Sequence, residues 1–323
     1  MLSHEISEQQ LSAVAQVSTA QCIGCSNEQP EPFLAAPDRF HGRKHTYQLM
    51  RCPSCSLVWL KDPPAPESMG EHYGPDYDRW VAAAGDAPER WSGRVKTIAR
   101  YRTGGTLLDL GCSSGGFLQA MKSPHWNLYG IEMSDVVARY AESVSGAKVF
   151  VGDILEAPFA PASFDVITCF HVFEHLYQPL AVLKKVAEWL KPGGIFYFMV
   201  PNIDSAGERI FRSYWYALEL PRHLFHFSPR SLQKLAERSG LEQVSLEMHR
   251  EIFFEKSIRY YLDDKLEHAG FSRAPLAKDR TPGILIRVVR KGFRLTILPV
   301  LGWIAALAGD GESIHAVLRK PPL

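Results

Sequence analysis

The sequence predicts an α/β chain whose main body is a doubly wound, mostly parallel sheet, preceded by a small metal-binding module. Three observations carry this expectation. In Leu107-Leu108-Asp109-Leu110-Gly111-Cys112-Ser113-Ser114-Gly115-Gly116, an apolar strand meets a small-residue turn, and an apolar helix-compatible stretch follows. From residue 106 onward, strand-like and helix-like patterns alternate regularly. Near the N-terminus, two Cys-x-x-Cys pairs, Cys22/Cys25 and Cys52/Cys55, are separated by 26 residues.

The composition fits an ordinary globular protein. The chain has 323 residues, 46% of them hydrophobic and 22% charged, with a net charge of +1. That balance gives no support to a broad basic nucleic-acid surface. The first residues lack a basic segment followed by an apolar core, so a cytoplasmic location is expected, with reduced cysteines. Reduced Cys-x-x-Cys pairs present thiolates on tight turns, and two such turns make a closed tetrahedral S₄ site for structural Zn²⁺.

Taken in order, residues 1–20 read as a flexible tail and 21–62 as the zinc ribbon. Residues 63–103 read as a linker with flanking helices, opened by Pro63, Pro64 and Pro66. The core spans 104–250. Strands are expected at 106–110, 128–132, 148–151, 164–170, 195–200 and 241–248. Helices are expected from 116 and at 136–144, 180–190 and 231–239, the last stopped by Gly240. Residues 251–310 form an excursion, read as a helical lid or a membrane-interfacial element. Within it, 284–308 is strongly apolar, with Arg287, Arg290, Lys291 and Arg294 at its front. Residues 311–323 supply the last core strand. Glu132 lies about 20 residues past the glycine turn, where a nucleotide-binding unit places its ribose-binding acid. Asp153 ends the third strand.

These motifs resemble those of class I S-adenosylmethionine (SAM)-dependent methyltransferases. Asp109-Leu110-Gly111-Cys112-Ser113-Ser114-Gly115 is similar to the family's acid-x-Gly-x-Gly-x-Gly turn, with Ser113 at the middle glycine. Glu132 matches the ribose acid and Gly152-Asp153-Ile154 the segment facing adenine. Phe170-His171-Val172-Phe173-Glu174-His175 matches the loop after strand four, and Arg222-His223-Leu224-Phe225-His226-Phe227-Ser228 a histidine-bearing segment. The resemblance implies a Rossmann-like, seven-stranded sheet whose last strand inserts antiparallel between strands five and six. It implies SAM binding by Asp109, Gly111, Ser113, Gly115, Glu132, Met133, Asp153, Ile154, Phe170 and His171. A dehydrogenase shares the turn but calls for neither Asp109 nor Asp153.

The ribbon resembles those of methyltransferases in sugar and polysaccharide gene clusters. O-methylation of a sugar, glycan or lipid-linked small acceptor is therefore the expected reaction. An oxygen nucleophile benefits from a general base, and histidine titrates in the right range. His171, His223 and His226 are the candidates. A divalent ion at Glu174 and His175, as in quinone-precursor O-methyltransferases, is another use of the same loop. Two further readings are an RNA methyltransferase gripping RNA with its ribbon and a non-catalytic partner that keeps the SAM fold. Peripheral contact with the inner membrane face through 284–308 would suit a lipid-linked acceptor.

Overall fold

The computed structural model describes residues 21–73, 88–268 and 311–322. The expected tail (1–20) and the apolar 284–308 stretch therefore lie outside the described residues, as do 74–87 of the linker.

Short strands start the chain: β1 (Glu31–Asp38), β2 (Arg43–Arg51) and β3 (Val58–Leu60). They pair antiparallel, and β3 then pairs with a strand from far along the chain, β9 (Phe225–His226), giving the order β1-β2-β3-β9. Neither β1 nor β9 is legible in the sequence. β1 contains Pro32 and Pro37, which local propensity reads as loop, and it survives as an edge strand. β9 is two residues long and exists only because β3 offers it an edge.

The second sheet has seven strands. They are β4 (Gly105–Leu110), β5 (Trp126–Glu132), β6 (Lys148–Val151), β7 (Phe164–Phe170), β8 (Leu190–Pro201), β10 (Glu242–His249) and β11 (Ser313–Arg319). Their order is β10-β11-β8-β7-β4-β5-β6. The pairs among β4–β8 are parallel, while β11 runs antiparallel to both neighbours, β8 and β10. This is the expected Rossmann-like sheet with its last strand inserted antiparallel. The order in which strands are added to the sheet reverses between the parallel neighbours β4 and β7. That is the switch point outside whose carboxyl ends open α/β sheets bind ligands.

Helices cover both faces. On one lie α1 (Ser92–Ala99), α2 (Gly116–Met121) and α3 (Asp135–Ser145), which bury Ile98, Phe117, Leu118, Met121 and Ala141 with Tyr197 and Met199. On the other, α4 (Pro179–Trp189) buries Val182, Leu183, Val186 and Trp189. Two further helices, α5 (Ala206–Phe211) and α7 (Phe253–His268), pack against each other, and α6 (Pro229–Ser239) packs beside α4. Full burial of each such Leu, Val or Phe is worth about 1.5–3 kcal/mol. Caps end the helices as their sequences suggest. Ser134 Oγ accepts from the Val137 amide, Ser228 and Ser231 form a capping box, and Gly240 terminates α6 at φ +75°.

One boundary differs by more than two residues. Residues 191–194, which separate the expected helix 180–190 from the expected strand 195–200 as a Lys-Pro-Gly-Gly turn, lie inside β8, which begins at Leu190 opposite Phe164. Gly193, at φ +75°, donates its amide to the Lys320 carbonyl, and the Lys320 amide donates to Gly194. A bulge therefore replaces the turn because the chain end supplies partners for it.

Candidate functional site

The glycine turn leaves β4 with its backbone forced close to neighbours. At Gly111 (φ +68°) a Cβ would stand 2.5 Å from Val172 Cγ2. At Gly115 (φ +77°) it would stand 2.8 Å from the Ala141 Cα. Ser113 takes φ +48° where the motif has a glycine. Its amide donates to Glu132 Oε2 at 3.0 Å, and the Ser134 amide donates to Glu132 Oε1 at 3.1 Å. Two backbone donors thus fix the Glu132 carboxylate at the end of β5, beside Met133, which is 69% exposed.

Asp109 is buried in β4 and accepts a 2.6 Å hydrogen bond from the Thr168 hydroxyl. Burial pushes its carboxyl up to about 7, against the opposing pull of Thr168 and Arg94. At the end of β6, exposed Asp153 accepts from the Leu155 amide at 2.7 Å, and Ile154 is buried behind it. Phe170, at the end of β7, meets Phe117 edge-on at 4.9 Å. The ten sequence-chosen cofactor residues therefore cluster at the carboxyl ends of four adjacent strands.

Arg94 of α1 was not singled out by sequence. Its guanidinium lies 4.7 Å from the Trp91 ring and 5.3 Å from the Phe170 ring, and it acts electrostatically on Asp109. A lone arginine ahead of the motif carries no local pattern, so only the packing of α1 reveals it.

A second cluster lies beyond β7. His171 has φ +56°, a sparsely populated conformation for a non-glycine residue. Its Nδ1 is 3.4 Å from Glu174 Oε1. Glu174 is enclosed, with no hydrogen bond to either carboxylate oxygen. Burial disfavours its charge, yet His171, His223 and His175 together hold it down to about 2. The His175 and His223 rings meet at 4.6 Å. His175 Nδ1 faces the Arg222 carbonyl at 3.0 Å, and His223 Nδ1 faces the Ala217 carbonyl at 2.8 Å. If each Nδ1–H donates to its carbonyl, each Nε2 keeps a lone pair. Ligand atoms of Glu174, His175 and His223 lie within 4.8 Å of one another.

His226 differs from the other two base candidates. It is 1% exposed, its Nε2 is 3.1 Å from the Leu218 carbonyl, and burial drives it down to about 3. A ring held neutral at that value is a weak proton acceptor.

In the ribbon, the four cysteine sulfurs lie within 4.8 Å of one another. Cys22 and Cys55 Sγ are 3.5 Å apart, and Cys25 and Cys52 Sγ are 3.4 Å apart. Tetrahedral Zn–S bonds of about 2.3 Å imply S···S spacings of about 3.8 Å, so the set fits that geometry with small adjustments. The two knuckles share one backbone pattern. Ser26 and Ser56 have φ +61° and +63°, and their amides donate to the Cys22 and Cys52 carbonyls.

Residues 83–246, half of the chain, match the methyltransferase-domain family, and the chain belongs to it. Curated relatives include the ubiquinone biosynthesis O-methyltransferases of Idiomarina loihiensis (29% identical over 157 residues) and Azoarcus sp. (30% over 161 residues). Each match covers 44% of this chain and spans 64% and 66% of the respective relative. Among solved structures, a chain from the complex of the Haloferax volcanii Trm112 methyltransferase activator with a methyltransferase aligns with TM-score 0.51. It is 19% identical and covers 77% of this chain and 99% of its own. Haemonchus contortus phosphoethanolamine N-methyltransferase 2, solved with SAM, aligns with TM-score 0.50 at 18% identity, covering 82% of this chain and 62% of its own. These two likenesses show the fold.

Proposed function

We propose that the protein transfers a methyl group from SAM to a hydroxyl oxygen of a small acceptor. The observation that carries this reading is the joint placement of Asp109, Glu132 and Asp153 at the switch point, with the His171–Glu174 pair next to them. The turn fits the cofactor: its glycines leave no room for side chains, and Glu132 is held by backbone amides where a ribose would lie. Glu132 and Asp153 would accept from ribose and adenine, while Met133, Ile154 and Phe170 would flank the base and the methionine arm. Bound SAM would supply an activated sulfonium methyl group.

His171 acts as the base in this proposal. Glu174 orients its Nδ1–H, leaving Nε2 to take the acceptor's hydroxyl proton while that oxygen takes up the methyl group. Bound SAM would give its methyl group to that oxygen, the S–CH₃ bond breaking as the O–CH₃ bond forms and S-adenosylhomocysteine being the product released. His223 supports Glu174 electrostatically, and the enclosed His226 is assigned a structural role. The names of the curated relatives support oxygen as the methylated atom. The ribbon's resemblance supports a sugar, glycan or lipid-linked acceptor, and we assign structural Zn²⁺ to Cys22, Cys25, Cys52 and Cys55.

One observation favours a second use of the acceptor side. The enclosed Glu174 carboxylate, which faces His171 at 3.4 Å, and two imidazoles whose Nδ1 atoms face carbonyls form a donor set suited to a divalent cation. In that arrangement the cation would take Glu174 from His171. Metal analysis separates the two readings: one bound metal per chain leaves the His171–Glu174 dyad, and two favour the cation.

Cofactor affinity should depend on pH through Asp109. Its carboxyl is neutral below about 7 and ionised above it, and an ionised Asp109 attracts the cationic cofactor. Between pH 6 and pH 8, SAM affinity by calorimetry is expected to rise about tenfold, since the ionised fraction rises by that factor. Asp109→Asn should flatten the profile; an unaltered profile in that variant would remove Asp109 from the site. Folding responds with the opposite sign. The raised carboxyl binds its proton more tightly in the folded chain, so its contribution to stability falls as pH rises from about 4 to about 7.

No helix among the described residues is long and apolar enough to cross a membrane. We propose peripheral contact of a cytoplasmic protein with anionic lipid through 284–308, supported by that segment's basic front and apolar run. The full chain should float with anionic liposomes, and a variant lacking 281–309 should not. Equal flotation removes the proposal.

A further inference from the structure

The ribbon is built into the acceptor side of the methyltransferase core. Its last strand, β3, lies three residues beyond Cys55 and pairs with β9, matching Val58 to His226 and Trp59 to Phe225. The Leu60 amide donates to the Leu224 carbonyl at 2.9 Å, and the Ser228 hydroxyl donates to the Cys55 carbonyl at 3.3 Å. Those bonds bracket residues 224–228 on the ribbon. From the other side, the Leu224 amide donates to the Glu174 carbonyl at 2.9 Å. Val58, Trp59 and Leu60 are all at most 2% exposed. A second contact runs parallel: the Arg222 guanidinium lies 4.0 Å from the ring of Phe40, in the β1–β2 turn, and pairs with Glu219. Arg39 of the same turn donates to the Ser213 carbonyl at 2.9 Å and covers the Tyr214 ring at 3.9 Å. A cavity is lined jointly by Pro37, Arg39 and Phe40 of the ribbon, by Leu218 and Glu219 of the core and by Tyr260 of α7.

We propose that closure of the ribbon around its metal sets the position of the 222–228 segment, so that the Cys₄ site governs the acceptor side of the active site and leaves the cofactor side alone. The proposal rests on the reading above, in which Cys22, Cys25, Cys52 and Cys55 hold zinc and His223 belongs to the acceptor side. The physical route is short. Metal ligation fixes the second knuckle, the knuckle fixes the edge of β3, and that edge supplies the hydrogen bonds that make β9 a strand. The core side contributes the Leu224–Glu174 and Ile203–Phe227 backbone bonds, but the ladder that makes 225–226 a strand comes from β3. The hydrogen bonds described above for Asp109, Glu132 and Asp153 run to Thr168, Ser113, Ser134 and Leu155, all residues of the core. His223 is accordingly a positioning-dependent residue, placed by a metal site outside the catalytic centre.

The test uses the full chain, with S-adenosylhomocysteine as cofactor-side probe and no acceptor. Zinc is removed with a chelator, and hydrogen exchange is followed by mass spectrometry. Protection across 222–228 is expected to fall at least about tenfold, while 105–110 and 164–170 keep theirs. S-adenosylhomocysteine affinity by calorimetry should stay within about threefold, and Co²⁺ reloading should restore protection. Ring NMR signals of His223 and His226 should shift on zinc removal, and that of exposed His125 should not. Retained protection at 222–228 overturns the proposal. So does an equal loss throughout the core, which would make the ribbon a general stabilising element. Should the stripped chain aggregate, Ser228→Gly decides with zinc in place, because glycine keeps most of the α6 cap while removing the hydroxyl that donates to the Cys55 carbonyl. That variant should keep its metal and lose about threefold protection at 224–227 with 232–236 unchanged, and unchanged protection at 224–227 or an equal loss across α6 counts against the proposal. Metal analysis of the untreated protein identifies the other kind of failure, since a chain without zinc overturns the assignment of the cysteines themselves.

Discussion

Glu132→Ala is expected to weaken S-adenosylhomocysteine binding by at least about a hundredfold. The carboxylate is the fixed acceptor at the end of β5, and two hydrogen bonds to a charged group are worth about 1.5–3 kcal/mol each. The change also frees the Ser113 and Ser134 amides that Glu132 now holds, so the turn loses its brace as well as its ligand contact. Calorimetry on the folded variant measures the effect, and circular dichroism confirms the fold. Glu132→Gln should recover part of the affinity, because the amide oxygen can accept from one backbone amide. An affinity within about threefold of the parent would place the ribose elsewhere and undo the cofactor assignment.

His171→Ala should lower kcat by about 10²–10⁴, the usual contribution of a positioned general base. Its effect on S-adenosylhomocysteine affinity should be no more than a few-fold, since removing a proton acceptor spares the cofactor's polar anchors. Glu174→Gln should reproduce much of the kcat loss. It leaves the imidazole in place but removes the carboxylate 3.4 Å from Nδ1 and the charge that three histidines hold down to about 2. The pH–rate profile of Glu174→Gln should lose its acidic limb's parent shape, which a purely steric role would not alter. If His171→Ala keeps its kcat while His223→Ala loses activity, the base lies on the ribbon-held segment instead.

The architecture of the core was legible because its signals are local. Strand 148–151, strand 164–170 and the last strand 313–319 occupy the residues expected of them, and every other core strand overlaps its expected range. Alternating patterns and caps such as Ser228 and Gly240 act within a few residues, where sequence reading works. The turn at 191–194 did not follow its sequence. Gly193 and Gly194 read as a break, but Lys320, more than a hundred residues away, hydrogen-bonds them into β8. The same holds for Arg94, whose relevance comes from the rings of Trp91 and Phe170 beneath it.

By itself, the sequence determined the elements of the proposed donor side, the glycine turn and the acids at the ends of three successive strands, and also the paired cysteines of the ribbon. Each depends on spacing along one stretch of chain, because a tight turn or a strand end places its residues without help from elsewhere. Only the tertiary structure decided the histidine cluster of the proposed acceptor side. His223 and His226 look equivalent in sequence, three residues apart, yet one meets His175 and Glu174 and the other is sealed against Leu218. What separates them is the pairing of β3 with β9, a contact between residues more than 160 positions apart. Long-range pairing of so short a strand leaves no periodic trace in the sequence, so which histidine joins Glu174 and His175 had to await the fold.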